Sequence, residues 1–360
     1  MGIDWKNVRR VLVVRLRSIG DTVLATPSLI ALKRFVPDAQ VDILLEDWVA
    51  PVLDDFDSVD NVVTVGRTGS SRLTAARKIR RTGYDVVFNL HGGTTGTFFA
   101  YASGAAHRIG YSHYQYKFLY NHVLSSSADY WSRPVTHSAE QQLALLGFAG
   151  VPVEEGIKSR LVVTERAMST LEEKFSAKAE KALNEIGKFA LLHPAAAFDS
   201  KQWPIANFAR TAEYLAAKGV KTIAVASRNE TDLLDRLREE SAASIAGFND
   251  LALPEITALA SRACLFVGND SGIAHIAAAV GTPTVVIFGS SNVDHWRPWT
   301  DAPNEIVRDI IPCQPCAGYE CKEFGDARCI RNVSVRAVTA AVERVTLKTK
   351  ERQEVIPAAL

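Results

Sequence analysis

Two stretches of this chain, residues 11–90 and 189–288, each alternate short β-branched runs with amphipathic helical patterns, and few folds accept that arrangement. In the first, Val11–Leu16 reads as a buried strand, Thr22–Val36 as a helix, Val41–Leu45 as a strand, Ser71–Arg81 as a basic amphipathic helix and Tyr84–Leu90 as a strand. The pattern restarts with strands at Phe189–His193, Val220–Ala226, Cys264–Val267 and Thr284–Phe288, and helices at Pro204–Lys218, Asn229–Glu240, Pro254–Arg262 and Gly272–Val280. Strands that alternate with helices build βαβ units and a parallel sheet. The expected fold class is therefore α/β with two Rossmann-like domains, over residues 1–165 and 180–332. Ligands of such sheets bind beyond the carboxyl ends of the strands, so the natural site is the cleft between the two domains. The aromatic-rich stretch Tyr111–Trp131 has no clean period and reads as loop or irregular helix, and residues 153–186 as a linker with a surface helix.

Composition excludes several classes. Lys+Arg number 41 and Asp+Glu 40, a formal charge of +1, which argues against a dedicated nucleic-acid binder. A hydrophobic fraction of 47% excludes wholesale disorder. No apolar run approaches the ~18 residues of a membrane-spanning helix. The run Val11–Leu16 is broken by Arg15 and followed by Arg17, so it is not a signal-peptide core, and a cytoplasmic location is expected.

Four strand ends carry candidate chemistry. After the first strand comes Arg15-Leu-Arg-Ser18-Ile-Gly20-Asp21-Thr22, where Asp21 reads either as a helix cap or as a general base facing the cleft. After Tyr84–Leu90 comes Asn89-Leu-His91-Gly92-Gly93-Thr94, whose small residues admit a ligand near the backbone; His91 is either a ligand contact or a satisfied loop histidine. After Phe189–His193, Lys201 stands before a helix that starts near Pro204. A cation there is unfavourable with the helix dipole unless an anion is also bound, so Lys201 reads as a phosphate ligand or else as a plain surface lysine. After Cys264–Val267 comes Gly268-Asn-Asp270-Ser271-Gly272-Ile-Ala-His275, in which the first-turn N–H groups form an anion pocket, or Asp270 or Ser271 simply caps the helix. The absence of a G-x-G-x-x-G fingerprint argues against an NAD-dependent oxidoreductase, although Glu46 past the second strand could hold a ribose.

Cys313-x2-Cys316-x4-Cys321-x7-Cys329 places four thiols within 17 residues and has the look of a metal knot, for zinc by default or iron, more suited to pinning a loop than to chemistry. Cys264 reads as plain core.

These motifs, in this order, resemble glycosyltransferase family 9, the bacterial ADP-heptose:lipopolysaccharide heptosyltransferases. The matching text is VVRLRSIGDTVLATPSLIALKRFVPDAQVDILL, YDVVFNLHGGTTGTFFAYASGAAHRIGY, LLHPAAAFDSKQWPIANFARTAEYLAAKG and FVGNDSGIAHIAAAVGTPTVVIFGSSNVDHWRPW, roughly residues 10 to 300. The resemblance implies a GT-B fold, with the donor held mainly by the C-terminal domain and the helix Val335–Thr349, within residues 333–360, crossing back to the first domain. It implies inverting transfer of L-glycero-D-manno-heptose from ADP-heptose to the inner core of lipopolysaccharide on lipid A, with no cofactor for the chemistry. Asp21 matches the proposed base of the family's S-x-G-D segment, Lys201 the K-x-W-P lysine on donor phosphate, and Asp270, Ser271, Gly272 and His275 the D-[ST]-G-x-x-H donor site. Glu230 stands where a residue would reach the ADP ribose, and His193-Pro194-Ala195-Ala196-Ala197 stands where the family more usually has a His-Pro-Gly start. The cysteine cluster resembles one found in some relatives, where it binds iron. The basic residues Arg72, Arg77, Lys78, Arg80 and Arg81, with Arg9, Arg10, Arg15 and Arg17, suit an anionic membrane surface or acidic acceptor, or are an ordinary solvated face. The remaining alternatives are another nucleotide sugar, a protein acceptor, or a non-catalytic protein held together by a metal.

Overall fold

A computed structural model of the chain describes residues 2–154, 156–179, 182–316 and 320–355. The chain divides into two compact units, residues 1–162 and 163–360.

The first unit is built on six parallel strands: β1 (Arg10–Leu16), β2 (Gln40–Glu46), β3 (Asn61–Val65), β4 (Val86–Asn89), β5 (His107–Tyr111) and β6 (His122–Leu124), in the order β3-β2-β1-β4-β5-β6. Val11, Leu12, Val14, Val86, Val87 and Phe88 have no exposed surface. A strand covered by helices on both faces has no polar side to present, so β1 and β4 read as unbroken apolar runs. The single helix expected over Thr22–Val36 is two, Ile19–Val23 and Thr26–Phe35, because Pro27 sits in the first turn of the second and cannot continue the first. The aromatic stretch holds β6 and the helix Ser127–Trp131 between loops.

The second unit repeats the plan with β7 (Phe189–His193), β8 (Lys221–Val225), β9 (Ile245–Phe248), β10 (Leu265–Asn269), β11 (Thr284–Phe288) and β12 (Asn304–Arg308), in the order β12-β11-β10-β7-β8-β9. Renumbered from its own first strand and read from the other edge, this is again 3-2-1-4-5-6, the doubly wound order. The helix Glu165–Ala179 belongs to this unit: Phe175 stacks on Phe248 at 5.3 Å, and Lys174 pairs with Glu255 at 2.7 Å. The helix Val335–Val355, expected to cross back, packs its apolar stripe of Val338, Ala341, Val342 and Val345 into the second unit's own core beside Leu215 and Val307. Arg344 and Lys348 on the same helix pair with Glu305 of β12 at 3.1 and 2.6 Å.

Each sheet therefore has one place where strand order reverses, between β1 and β4 in the first unit and between β7 and β10 in the second. A crevice opens at the carboxyl ends of such a strand pair, since the connections leave in opposite directions. The four sequence motifs emerge from these four strands.

Candidate functional site

In the first unit, β1 ends irregularly. Its pairing with β2 shifts register between Val14 and Leu16, and Leu16 takes a left-handed φ of 57°, uncommon for a branched side chain. Backbone in such a sparsely populated region persists only where its surroundings hold it, and here it redirects the chain into Ser18–Asp21. Ser18, not Asp21, is the cap of the helix Ile19–Val23; Asp21 is the third residue of that helix and completes a capping box. Its Oδ2 accepts from Ser18 Oγ at 3.0 Å, and its Oδ1 pairs with the Arg15 guanidinium. The Asp21 side chain keeps 20% of its surface exposed, whereas that of Arg15 keeps 8%. Arg15 is fixed from below, donating to the carbonyl of Leu90 at 2.5 Å and to that of Asp21 at 3.3 Å.

Across the crevice, β4 ends in Asn89, which is fully buried. Its Oδ1 accepts from the backbone N–H groups of His91 and Gly92, both at 3.0 Å, and its Nδ2 donates to Tyr120 Oη at 2.6 Å. That side chain shapes the loop carrying His91. Gly92 is required there: its φ is 70°, and a Cβ would stand 2.9 Å from the Tyr114 ring. His91 Nδ1 is buried without a hydrogen-bond partner. Burial first, then the Arg15 charge, lowers its pKa from 6.5 to about 4, so the ring is neutral at pH 7. The first unit thus brings Arg15, Asp21 and His91 together.

In the second unit, Lys201 lies in a short turn, Asp199–Lys201, ahead of the helix Ile205–Ala217. Its Nζ contacts Asp270 Oδ2 at 2.8 Å, and Ser291 Oγ donates to the same oxygen at 2.6 Å. The Asp270 side chain is 6% exposed and that of Lys201 23%, so the lysine is the member of the pair that solvent reaches. Asn269 ends β10 as Asn89 ends β4: fully buried, it accepts from the Trp203 N–H at 3.1 Å and donates to the carbonyl of Pro194 at 2.7 Å, tying β10 to the Lys201 turn. Ser271 occupies the cap position of the helix Gly272–Ala279 without making a side-chain cap bond, and its buried Oγ has no partner. The capping alternative is thereby removed for both residues, since Asp270 is held by Lys201 and Ser291. The first-turn N–H groups, led by Gly272, are left for a ligand, and an anion is what they and the helix dipole favour. His275 is the fourth residue of this helix and is buried.

Glu230 closes a capping box at the end of β8, where its Oε2 accepts from Ser227 N at 2.9 Å and Ser227 Oγ at 2.7 Å. Arg15, counted with the basic surface, is buried beneath Asp21 and faces no membrane. The remaining basic helix, Gly69–Thr82, buries Ala75, Ala76 and Ile79 and presents Arg77, Lys78 and Arg81 around an open depression of about 530 Å³. Cys264 is exposed just before β10 and is not core. Glu46 is engaged by Trp48 Nε1 at 2.7 Å. The thiols of Cys313, Cys316 and Cys321 are near enough to Cys329 that, after burial, their charge pushes its pKa up to about 11. Four sulfur donors suit zinc or iron, and a cation would relieve that repulsion. Among the described residues, though, no group of three or more ligating side chains is drawn in tightly enough to hold an ion.

Sequence reasoning missed Arg15 as a site residue, and with it Asn89, Asn269 and Ser291. Only Arg15 left a signal, a charge inside an apolar strand.

The family model for glycosyltransferase family 9 (heptosyltransferase) matches residues 72–325. Lipopolysaccharide heptosyltransferase 3 of Escherichia coli K12 is 27% identical over 300 residues, covering 79% of this chain and 84% of the relative. Lipopolysaccharide heptosyltransferase 2 of the same strain is 25% identical over 336 residues, covering 88% and 91%. The solved structure of E. coli ADP-heptose lipopolysaccharide heptosyltransferase II superposes with a TM-score of 0.76 at 19% identity over 95% of this chain and 99% of that one, a likeness of fold. Two doubly wound parallel sheets, an uncapped helix end beside a lysine, and a sequence match over most of the length agree: the chain belongs to glycosyltransferase family 9, the heptosyltransferases.

Proposed function

We propose that the protein transfers L-glycero-D-manno-heptose from ADP-heptose to the inner core of lipopolysaccharide, with inversion at the anomeric carbon. The observation that carries the reading is the Lys201–Asp270 pair beside the uncapped helix at Gly272, a cation and free N–H groups at one strand switch point. The diphosphate of the donor would lie there, with Ser271 Oγ as a further donor. Asp21 would take the proton of the acceptor hydroxyl as its oxygen attacks the anomeric carbon; the C–O bond to ADP breaks as the new one forms. A single displacement of this kind needs one base and no covalent intermediate. The charge that develops on the leaving ADP would be stabilised by Lys201 and the N–H groups of Ser271 and Gly272, which are in place before the reaction starts. Neutral His91 beside Asp21 can accept or donate a hydrogen bond to the acceptor without adding charge.

Three finer parts belong to the same reading. Glu230 reaches the donor ribose with the carboxylate oxygen that its capping box leaves over. Arg77, Lys78 and Arg81 meet an anionic membrane or the acidic acceptor from the cytoplasmic side; among the described residues no helix is long and apolar enough to cross a membrane. Cys313, Cys316, Cys321 and Cys329 hold one zinc or iron ion that pins their loop.

The test is a transfer assay with ADP-heptose against UDP- and GDP-sugars, using heptose-deficient lipopolysaccharide core as acceptor and a glycosylated-protein control. Turnover with ADP-heptose on the lipopolysaccharide core supports the reading. Turnover only with another donor or only on protein overturns it. Charge reversal of Arg77, Lys78 and Arg81 should abolish salt-sensitive sedimentation with anionic liposomes; no such binding in the parent removes the membrane contact.

A further inference from the structure

The donor site is held from behind, and the holding runs through the cysteine-bearing loop. Gly289–Ser291 leaves the carboxyl end of β11 and is hydrogen-bonded on both sides. Toward the donor site, Ser291 Oγ donates to Asp270 Oδ2 at 2.6 Å. Ser290 N donates to the carbonyl of Ser200 at 3.3 Å, and Ser290 Oγ donates to Ser200 Oγ at 3.0 Å, one residue before Lys201. On the far side, Gln314 Nε2 donates to the carbonyl of Gly289 at 2.6 Å, and Cys316 N donates to that of Ser290 at 3.0 Å. Gln314 Oε1 accepts from the Ile311 N–H at 3.0 Å, which fixes which end of the amide faces Gly289. There is no slack in this stack: a Cβ on Gly289 would collide with the carbonyl of Ser200 and stand 3.0 Å from Ile330 Cβ, the residue after Cys329.

We propose that Gln314 is a positioning residue for donor binding. Its amide clamps Gly289–Ser291, and that segment sets both where Ser291 holds Asp270 and where Ser290 holds the Lys201 turn. The inference rests on Lys201 and Asp270 forming the donor phosphate site. A charged pair that must meet a diphosphate at hydrogen-bond distance tolerates little displacement, and the groups that orient such a pair matter for affinity without touching the ligand. The four-cysteine loop then has a task beyond its own stability: whatever orders Cys313 and Cys316 also orders Gln314, which lies between them.

The experiment is calorimetric titration of ADP into the full chain for the parent, Gln314→Ala, Gln314→Glu, Ser291→Ala and the Ser291→Ala/Gln314→Ala pair, with donor and acceptor KM measured alongside. Loss of one buried hydrogen bond that leaves its partner unsatisfied predicts ADP binding about 5- to 50-fold weaker in Gln314→Ala. Gln314→Glu keeps the size and the acceptor for Ile311 but turns an oxygen toward the Gly289 carbonyl, so it should weaken ADP binding as much; it also serves if the alanine variant fails to fold. Donor KM should rise in step while acceptor KM stays within about twofold, a split that general loosening would not give. In the Ser291→Ala background, Gln314→Ala should cost distinctly less than in the parent, because one route to Asp270 is already cut. ADP affinity within twofold of the parent in both Gln314 variants, or an equal loss in both backgrounds, overturns the clamp. A parent that binds no ADP overturns the reading of the site itself, and the clamp with it.

Discussion

The two strand switch points of this protein share a plan and differ in what they offer. Each ends its later strand in a fully buried asparagine: Asn89 shapes the loop that follows β4, and Asn269 ties β10 to the Lys201 turn. Each then presents an aspartate on the first turn after a strand. In the first unit the cation lies beneath the aspartate: Arg15 is nearly buried and Asp21 reaches solvent. In the second unit the order is reversed, with Asp270 buried and Lys201 more exposed. The same backbone device thus shows a carboxylate at one place and an ammonium beside an open helix end at the other. A carboxylate in front suits proton removal, whereas a cation in front suits an anionic ligand.

The largest effect that would test this contrast is at Asp21. Asp21→Asn keeps the size and the contact to Ser18 but removes the base. Transfer turnover is expected to fall about 10²- to 10⁴-fold, the usual worth of a general base. Activity near the parent level would break the assignment of proton removal to the first unit. A second test sharpens the account of how the other switch point is held. Elemental analysis of the purified protein should find one zinc or iron per chain, lost in Cys321→Ser along with several-fold of the ADP affinity. Metal-free protein with four titratable thiols would show that the loop is ordered by packing alone.

The smallest effect concerns His91 and follows from its lowered pKa. Unfolded, this histidine takes a proton near pH 6.5; folded, it resists until about pH 4. Between those values the unfolded chain binds more protons, so stability is full above pH 6.5 and declines as pH falls toward 4. His91→Gln should flatten part of that decline in thermal melts at pH 4.5 and 7. An unchanged difference between the two melts would mean that the ring is not buried neutral.

What could be read from the sequence follows the sheets from centre to edge. β1, β4, β7, β10 and β11 are covered on both faces and appear as apolar runs. β3, β6, β9 and β12 lie at the edges, and with β5 they left no usable pattern: β6 has three residues, β5 includes His107 and Arg108, and most of β12 is only partly buried. An edge strand is half solvated, so its residues need not be apolar. At the proposed site, Asp21, Lys201 and Asp270 stood out in the sequence because local chemistry marks them, a carboxylate after a strand or a cation before a helix. Ser291, Gln314 and the two asparagines were not. The bonds that place them across the fold run to distant partners, as from Asn89 to Tyr120, Gln314 to Gly289 and Asn269 to Pro194, and pairing at that range comes from the fold rather than from any local pattern.

The central claim is the division of labour between the two crevices, and one titration tests it most directly: ADP binding to the parent, Lys201→Ala and Asp21→Asn under the same conditions. Removing one partner of a mostly buried charge pair should weaken ADP binding about 10- to 100-fold in Lys201→Ala, while Asp21→Asn binds like the parent. Equal weakening in both variants, or none in Lys201→Ala, would contradict it.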